Sequence, residues 1–249
     1  MSSRTVCITG VGRRNGIARG IALRLAADGW DVAFNYWGAY DSRMALGGDP
    51  EDPDDIADEL QALGRRVVAV EADLADPAAP DAFIAEAERL LGPVSALVMA
   101  HSESVDSGIL DTSVEAFDRH FAVNTRAAWL LIAAFARRIP TDGGSIVALT
   151  SDHTVFNLPY GASKGALDRI VIAAGRELGH LGISSNALNP GPIDTGWMSD
   201  EIRASALARQ PTGRLGTPDD IANTVAFLVS PEGRWVTGQL LKSDGGFSI

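Results

Sequence analysis

The 249-residue chain is predicted to fold as one doubly wound α/β domain, 1–249, with a mainly parallel seven-stranded sheet and helices on both faces. Three observations carry the prediction. Short apolar runs suited to buried parallel strands alternate with helical patterns from one end of the chain to the other. The first run passes at once into a glycine-rich turn and a helix, as in Rossmann-type units. No repeat, low-complexity tract or linker-like change of composition divides the chain.

Bulk properties narrow the function classes. An apolar fraction of 46% is ample for a buried core. No apolar run approaches the roughly 20 residues needed to cross a bilayer, and Met1-Ser2-Ser3-Arg4 leads directly into a strand-like run, so a cytoplasmic protein is expected, with no membrane partner. Cys7 is the only cysteine, which rules out an intrachain disulfide and a cysteine cluster for zinc. Histidines stand apart at 101, 120, 153 and 180, so no metal site is expected. A net charge of −11 opposes nucleic acid or anionic membrane as a partner, because phosphates are repelled at long range.

In order, residues 4–9 (Arg-Thr-Val-Cys-Ile-Thr) read as a buried strand, followed by Gly10-Val11-Gly12-Arg13-Arg14-Asn15-Gly16-Ile17-Ala18 and a helix to about residue 28. Gly10 permits a tight turn, Gly16 allows close backbone approach, and the N–H groups of the helix opening at Ile17 face an anion such as a dinucleotide pyrophosphate. Gly12 shares that turn. The second strand, 31–36, ends in Asn35, Tyr36 and Trp37, without the carboxylate that would bind the ribose 2′-hydroxyl of NAD. Arg13 and Arg14 lie where a 2′-phosphate would sit, so NADPH (NADP+) is favoured and NADH is the alternative. The acids Asp41 and Asp49 weigh against that preference.

The stretch 37–53, with Gly47-Gly48-Asp49-Pro50 and further acids, is expected to be an inserted loop, either solvated or a lid near the adenosine. Residues 54–63 form a helix and 66–71 a strand with Asp73-Leu74 at its carboxyl end, positions that meet an adenine ring or simply make a turn. A helix over 77–91 and a strand over 95–99 follow, opening into Ala100-His101-Ser102-Glu103-Ser104 at the edge where open α/β sheets bind ligands. His101 and Glu103 either touch substrate there or cap and brace the loop. A helix over 114–138 carries Asn124 in its middle, a mediocre helix former whose amide is expected to have a task. Strand 145–150, helix 160–178 and strand 183–188 lead to Asn189-Pro190-Gly191-Pro192-Ile193-Asp194-Thr195. A substrate-covering flap over 195–217, a helix over 218–229 and a short strand over 239–242 close the chain.

The chemistry-bearing stretch is Ser151 to Lys164, where an apolar run ends and a helix begins with Tyr160 and Lys164 on one face. A phenol with a pKa of about 10 is a sluggish acid at neutral pH, and a lysine cation held alongside is expected to lower it. Ser151 is placed to hold a carbonyl oxygen beside the phenol. With a hydride donor adjacent, this set reduces ketones or oxidises alcohols. Without one, Tyr-x-x-x-Lys is an ordinary surface pair.

Together these marks resemble the short-chain dehydrogenase/reductase family over essentially the whole chain. They are Thr9-Gly10 with Gly16-Ile17, Asp73-Leu74, Asn124, Ser151, Tyr160-x-x-x-Lys164, Pro190-Gly191 with Thr195, Pro211-x-Gly213-Arg214-x-Gly216-x-Pro218, and Thr237-Gly238-Gln239 before Asp244-Gly245-Gly246. Within the family the chain is most similar to bacterial 3-oxoacyl-(acyl carrier protein) reductase-like members. The resemblance implies Tyr160 as general acid, Lys164 tuning it and binding the nicotinamide ribose, Ser151 polarising the carbonyl, and Asn124 holding a water in a proton relay. It implies cofactor contacts at Gly10, Gly12, Arg13, Arg14, Gly16, Ile17, Asn35, Asp73, Leu74, Ala100, Tyr160, Lys164, Pro190, Gly191, Ile193 and Thr195.

Three departures stand out. The glycine turn is longer than usual, with Ala18 at the third glycine position, a spacing like that of bacterial enoyl reductases, although those use a longer Tyr-to-Lys interval. Val98-Met99-Ala100-His101 replaces the family's Asn-Asn-Ala-Gly. Ser151 precedes Tyr160 by only 9 positions, a shortened interval that opens the pocket or displaces Ser151, leaving Thr150 or His153 to serve instead.

The leading expectation is an NADPH-dependent reductase making a secondary alcohol from a ketone, free or thioester-linked. The alternatives are a cofactor-binding regulator or scaffold with little turnover, and an NAD-dependent alcohol dehydrogenase. Phe156, Leu158, Trp197 and Met198 are expected to line an apolar substrate pocket, with Glu103, His153 and Asn157 as polar contacts. The resemblance also implies a homotetramer or dimer paired through the helices that hold Asn124 and Tyr160.

Overall fold

The computed structural model describes residues 4–44, 48–196 and 198–249. Seven parallel strands form one sheet in the order β3-β2-β1-β4-β5-β6-β7. They are β1 (Arg4–Thr9), β2 (Trp30–Tyr36), β3 (Val67–Glu71), β4 (Val94–Met99), β5 (Gly144–Leu149), β6 (Ile183–Asn189) and β7 (Leu240–Lys242).

The near-continuous apolar strands are explained by burial on both faces. Along β1, Val6 and Ile8 join one core cluster and Cys7 the other, and Val32 and Phe34 alternate with Ala33 in the same way on β2. The first cluster packs the sheet against α1 (Ile17–Ala27), α3 (Asp52–Ala62) and α9 (Pro218–Val229). The second packs it against α4 (Ala79–Leu91), α6 (Ala127–Arg137) and α7 (Leu158–Glu177).

Three expectations are corrected. Within the supposed loop 37–53, residues Gly38–Met44 form a short helix, α2, because its polar side chains find partners: Asp41 pairs with Arg13, and Arg43 with Glu103. The helix expected over 114–138 is interrupted: α5 (Val114–His120) passes through a π-helical turn, Phe121–Arg126, into α6. Such turns insert one extra residue and cluster at functional sites. The flap 195–217 contains a regular helix, α8 (Asp200–Arg209), capped by Ser199, whose hydroxyl accepts from Ile202 N at 3.3 Å. Among the described residues no helix is long and apolar enough to cross a membrane, and no group of three or more His, Cys, Asp or Glu is placed to hold a metal.

Candidate active site

Strand order reverses at β1, which lies between β2 and β4, so a crevice opens at the carboxyl ends of β1 and β4. The expected residues Gly10, Gly12, Arg13, Asn35, Asp73, Leu74 and Ala100 all line it. Trp37, Tyr40 and Asp41 of the insertion form one wall. The turn fits a close-lying dinucleotide. Gly10 adopts φ +79°, and a Cβ there would meet the His101 backbone at 2.8 Å. Gly16 caps α1 without any side-chain hydrogen bond, leaving the helix's first N–H groups for an anion.

Not every expected contact points into the crevice. Arg13 does, with Nε 3.4 Å from Asp41. Arg14 turns to α3 instead, where its Nε lies 3.1 Å from Asp52 and its Nη2 reaches Asp55, because the acidic first turn of that helix attracts it. Asn35 is a strut: its Nδ2 donates to Ala72 O at 3.0 Å and Val70 O at 3.3 Å, tying β2 to β3. Asp73 is held below the usual carboxylate range, since burial is outweighed by its bonds from Arg119 and from Ala75 N.

His101 solves the problem set by the missing Asn-Asn-Ala-Gly. Its Nδ1 lies 2.6 Å from Thr9 Oγ1 and its Nε2 3.0 Å from Val123 O. Burial, with Lys164 adding to it, pushes its pKa down to about 3, so the ring is neutral. Val123 O can only accept, so Nε2 carries the proton and Nδ1 receives the Thr9 hydroxyl. One imidazole thus braces β1, β4 and the π turn.

Asn124 is likewise committed. Its Oδ1 accepts Glu103 N at 2.7 Å, and its Nδ2 donates to Glu103 O and to Ser163 Oγ, both at 2.9 Å. The side chain therefore clamps the segment after β4 to α7. Glu103, expected at the substrate, is 2% exposed and accepts Arg119 Nε at 3.1 Å and Arg43 from α2. Arg119 also reaches Asp73 at 2.7 Å, so one network ties α2, the end of β3, the segment after β4 and α5 together. Substituting Glu103→Gln keeps the shape but leaves two guanidinium groups without their buried counter-charge. We expect a loss of about 2 kcal/mol, read as a lower urea midpoint at unchanged slope.

At the end of β5 the shortened interval still brings Ser151 to the phenol. Burial raises the pKa of Tyr160, and the nearby Ser151 and Ser102 hydroxyls act against it. Ser151 Oγ accepts His153 N at 3.1 Å, which leaves its own proton to donate. The shortening is absorbed by strain: Phe156 takes φ +57°, a left-handed conformation rare for a bulky residue. Close packing completes it, since a Cβ on Gly161 would sit 2.6 Å from His153 O. Thr150, the alternative to Ser151, is buried and faces Asp168. His153 and Phe156 stand exposed on the rim, and Trp197 lies outside the described residues.

Lys164 is 3% exposed, donates to Leu149 O at 2.9 Å and lies 5.8 Å from the Tyr160 ring centroid. Burial lowers its pKa to about 8. After β6, Gly191 takes φ +63° with its N–H on Asn189 Oδ1 at 3.0 Å, Ile193 bridges to Gly216, and Thr195 is buried.

Residues 10–248 match a family model described as enoyl-(acyl carrier protein) reductase. The chain is 35% identical to an uncharacterized oxidoreductase, YjdA, of Bacillus subtilis (strain 168), over 96% of this chain and 95% of that protein. It is 34% identical to an NADPH-dependent aldehyde reductase-like protein, chloroplastic, of Arabidopsis thaliana, over 99% and 95% of the two chains. A short chain dehydrogenase from Burkholderia cenocepacia J2315, solved in complex with NADP, superposes with a TM-score of 0.89 at 32% identity, covering 100% of this chain and 99% of that one.

Proposed function

Because the chain belongs to the short-chain dehydrogenase/reductase family, we propose that it is an NADPH-dependent reductase that converts a ketone, a 3-oxoacyl or related carbonyl, into a secondary alcohol. The observation that carries this reading is the meeting of Tyr160, Ser151 and Lys164 at the end of β5, beside the dinucleotide crevice. NADPH, when bound, supplies the hydride. The chain's residues bind, orient and protonate.

Gly10, Gly12, Gly16 and Ile17 offer backbone to the pyrophosphate, and Asp73, Leu74 and Ala100 line the adenosine half. Pro190, Gly191, Ile193 and Thr195 border the nicotinamide half, with Lys164 on its ribose. Ser151 donates to the carbonyl oxygen, a small oxyanion site, and Tyr160 gives that oxygen its proton. The flap over 195–217, with α8, covers the substrate. The protein works in the cytoplasm as a homotetramer or dimer; Trp129 on α6, 55% exposed, supports pairing through that helix, and light scattering on the purified protein tests it.

Two alternatives are weaker. A binding protein with little turnover is suggested by the short Ser151–Tyr160 interval; Ser151 acting to lower the pKa of the Tyr160 phenol supports the enzyme instead. Alcohol oxidation uses the same groups in reverse, but the uncharged end of β2 favours NADP(H) over NAD(H). Arg13, which lines the crevice beside Asp41, is then the arginine of the turn that would meet the 2′-phosphate, Arg14 being held by α3. Arg13→Ala should weaken NADPH binding about tenfold and leave NADH binding unchanged, checked by fluorescence titration with both cofactors.

The deciding experiment follows NADPH and NADH oxidation by the purified protein over a panel of ketones and 3-oxoacyl thioesters, with alcohols and NADP+ for the reverse. Turnover with NADPH that vanishes in Tyr160→Phe is the expected result. Tight NADPH binding with no turnover on any carbonyl or alcohol would overturn the reading.

A further inference from the structure

We propose that the exposed apolar rim around the start of α7 receives the apolar body of an uncharged carbonyl compound taken free from solution, in preference to an acyl group carried on an anionic thioester carrier. The proposal rests on the reductase reading and names the substrate class of that same site.

Two segments that the sheet brings together build the rim. One follows β4 and the other follows β5, strands paired at Met99 and Ala148. They meet where Leu158 N donates to Ser107 O at 2.9 Å, in the first turn of α7 and just ahead of Tyr160. Ile109 and Leu110 come directly after that junction on one segment, and Val155 and Phe156 directly before it on the other, each within about 11 Å of it along the chain. All four side chains are exposed, Leu110 at 99% and Phe156 at 83%. A group of large apolar side chains left at the surface marks a place where apolar matter is bound. Phe156 argues this most strongly. Its φ of +57° is a conformation that asparagine or glycine adopts at less cost, and its ring gains no burial in return. Neither the backbone nor the core favours phenylalanine there, so its ring is explained by what it binds.

Charge selects the occupant. Residues 100–113 and 151–157 contain no lysine or arginine, and they carry Asp106, Asp111 and Asp152. Asp111 accepts Gly108 N at 2.8 Å, Asp152 meets Lys242 at 3.4 Å, and Asp106 is exposed. Of the flap's arginines, Arg203 pairs with Asp194, Arg214 pairs with Asp220, and Arg209 lies over the Phe247 ring. A carrier's phosphates or an acidic carrier protein approaching this mouth therefore meet apolar side chains and acids, and the chain's net charge of −11 adds to the repulsion. An uncharged ketone meets only the apolar surface it can cover.

One double variant and one pair of substrates test this. Phe156→Asn with Leu110→Ser strips the rim while giving position 156 a residue suited to its backbone. With 2-alkanones and with a 3-oxooctanoyl N-acetylcysteamine thioester, both uncharged, the double variant should raise KM about tenfold, with kcat and NADPH affinity little changed and no fall in the urea midpoint. The unsubstituted protein should reduce the uncharged thioester with a kcat/KM about tenfold above that for the same acyl group on coenzyme A, and the gap should narrow in about 0.5 M salt as the repulsion is screened. Preference for the coenzyme A thioester would overturn the proposal. So would an unchanged KM in the double variant, including the case in which light scattering shows a changed mass and the rim is a contact between subunits. Absence of turnover by the unsubstituted protein on every carbonyl and alcohol would overturn the reductase reading instead, and the substrate class with it.

Discussion

Tyr160→Phe should lower kcat for carbonyl reduction by about a thousandfold while leaving NADPH affinity within a factor of two. The change removes one oxygen from a ring that α7 holds in place, and on the proposed mechanism that oxygen protonates a carbonyl held by Ser151. General acids of this kind contribute typically 10² to 10⁴ in rate. On the proposed reading the adenosine lies against Gly10, Asp73, Leu74 and Ala100 and does not depend on the phenol oxygen, so binding and chemistry should separate. Fluorescence titration gives the first and NADPH consumption the second. Retention of a tenth or more of the turnover would place the acid elsewhere in the crevice. A matched loss of affinity would show that the ring positions the cofactor as well.

What was legible before the structure was local. Strand runs, the glycine turn and the Tyr160–Lys164 spacing involve neighbours along the chain, and each lies where its pattern indicates. What was not legible depends on pairing between distant segments. His101 was a loop histidine until Thr9, 92 positions away, closed on its Nδ1. Glu103 looked like a substrate contact because its partner Arg43, 60 positions away, sits in a stretch whose acids and glycines argue for a loop. That stretch carried a weak signal, since Arg43 follows Tyr40 at the i,i+3 spacing of one helix face. Arg14 shows the same limit in reverse: its diversion to Asp52 and Asp55 depends on how close α3 approaches the glycine turn. The short interval before Tyr160 is visible in the sequence. Its accommodation depends on a left-handed Phe156 and on Gly161 lacking a Cβ, which spacing alone does not reveal.

The second large effect divides stability from function at one residue. Lys164→Met should abolish turnover, because it removes the cation from the catalytic face of α7, yet stabilise the fold near neutral pH. Burial pushes the folded-state pKa of Lys164 down to about 8 from the ordinary 10.5, so at pH 7 the charge is carried in both states at a folding cost of about 3 kcal/mol. Between pH 8 and 10.5 the unfolded chain binds more protons than the folded one, and that cost is relieved as pH rises. Methionine fills the same channel without charge but leaves Leu149 O unbonded, at about 1–2 kcal/mol. Urea unfolding should therefore find the variant about 1–2 kcal/mol more stable at pH 7, and less stable above about pH 10, where only the lost hydrogen bond remains. Cys7, Tyr36 and Tyr40 are common to both proteins and cancel in the difference, and making the comparison in the Tyr160→Phe background removes the one phenol beside Lys164. If the variant is instead less stable at pH 7, the buried charge is compensated within the fold. Asp168, one turn further along α7 and the one carboxylate that raises the Lys164 pKa, is then the group to substitute next. The predicted crossover would mean that Lys164 is kept against the interest of folding, as expected of a residue held for its chemistry.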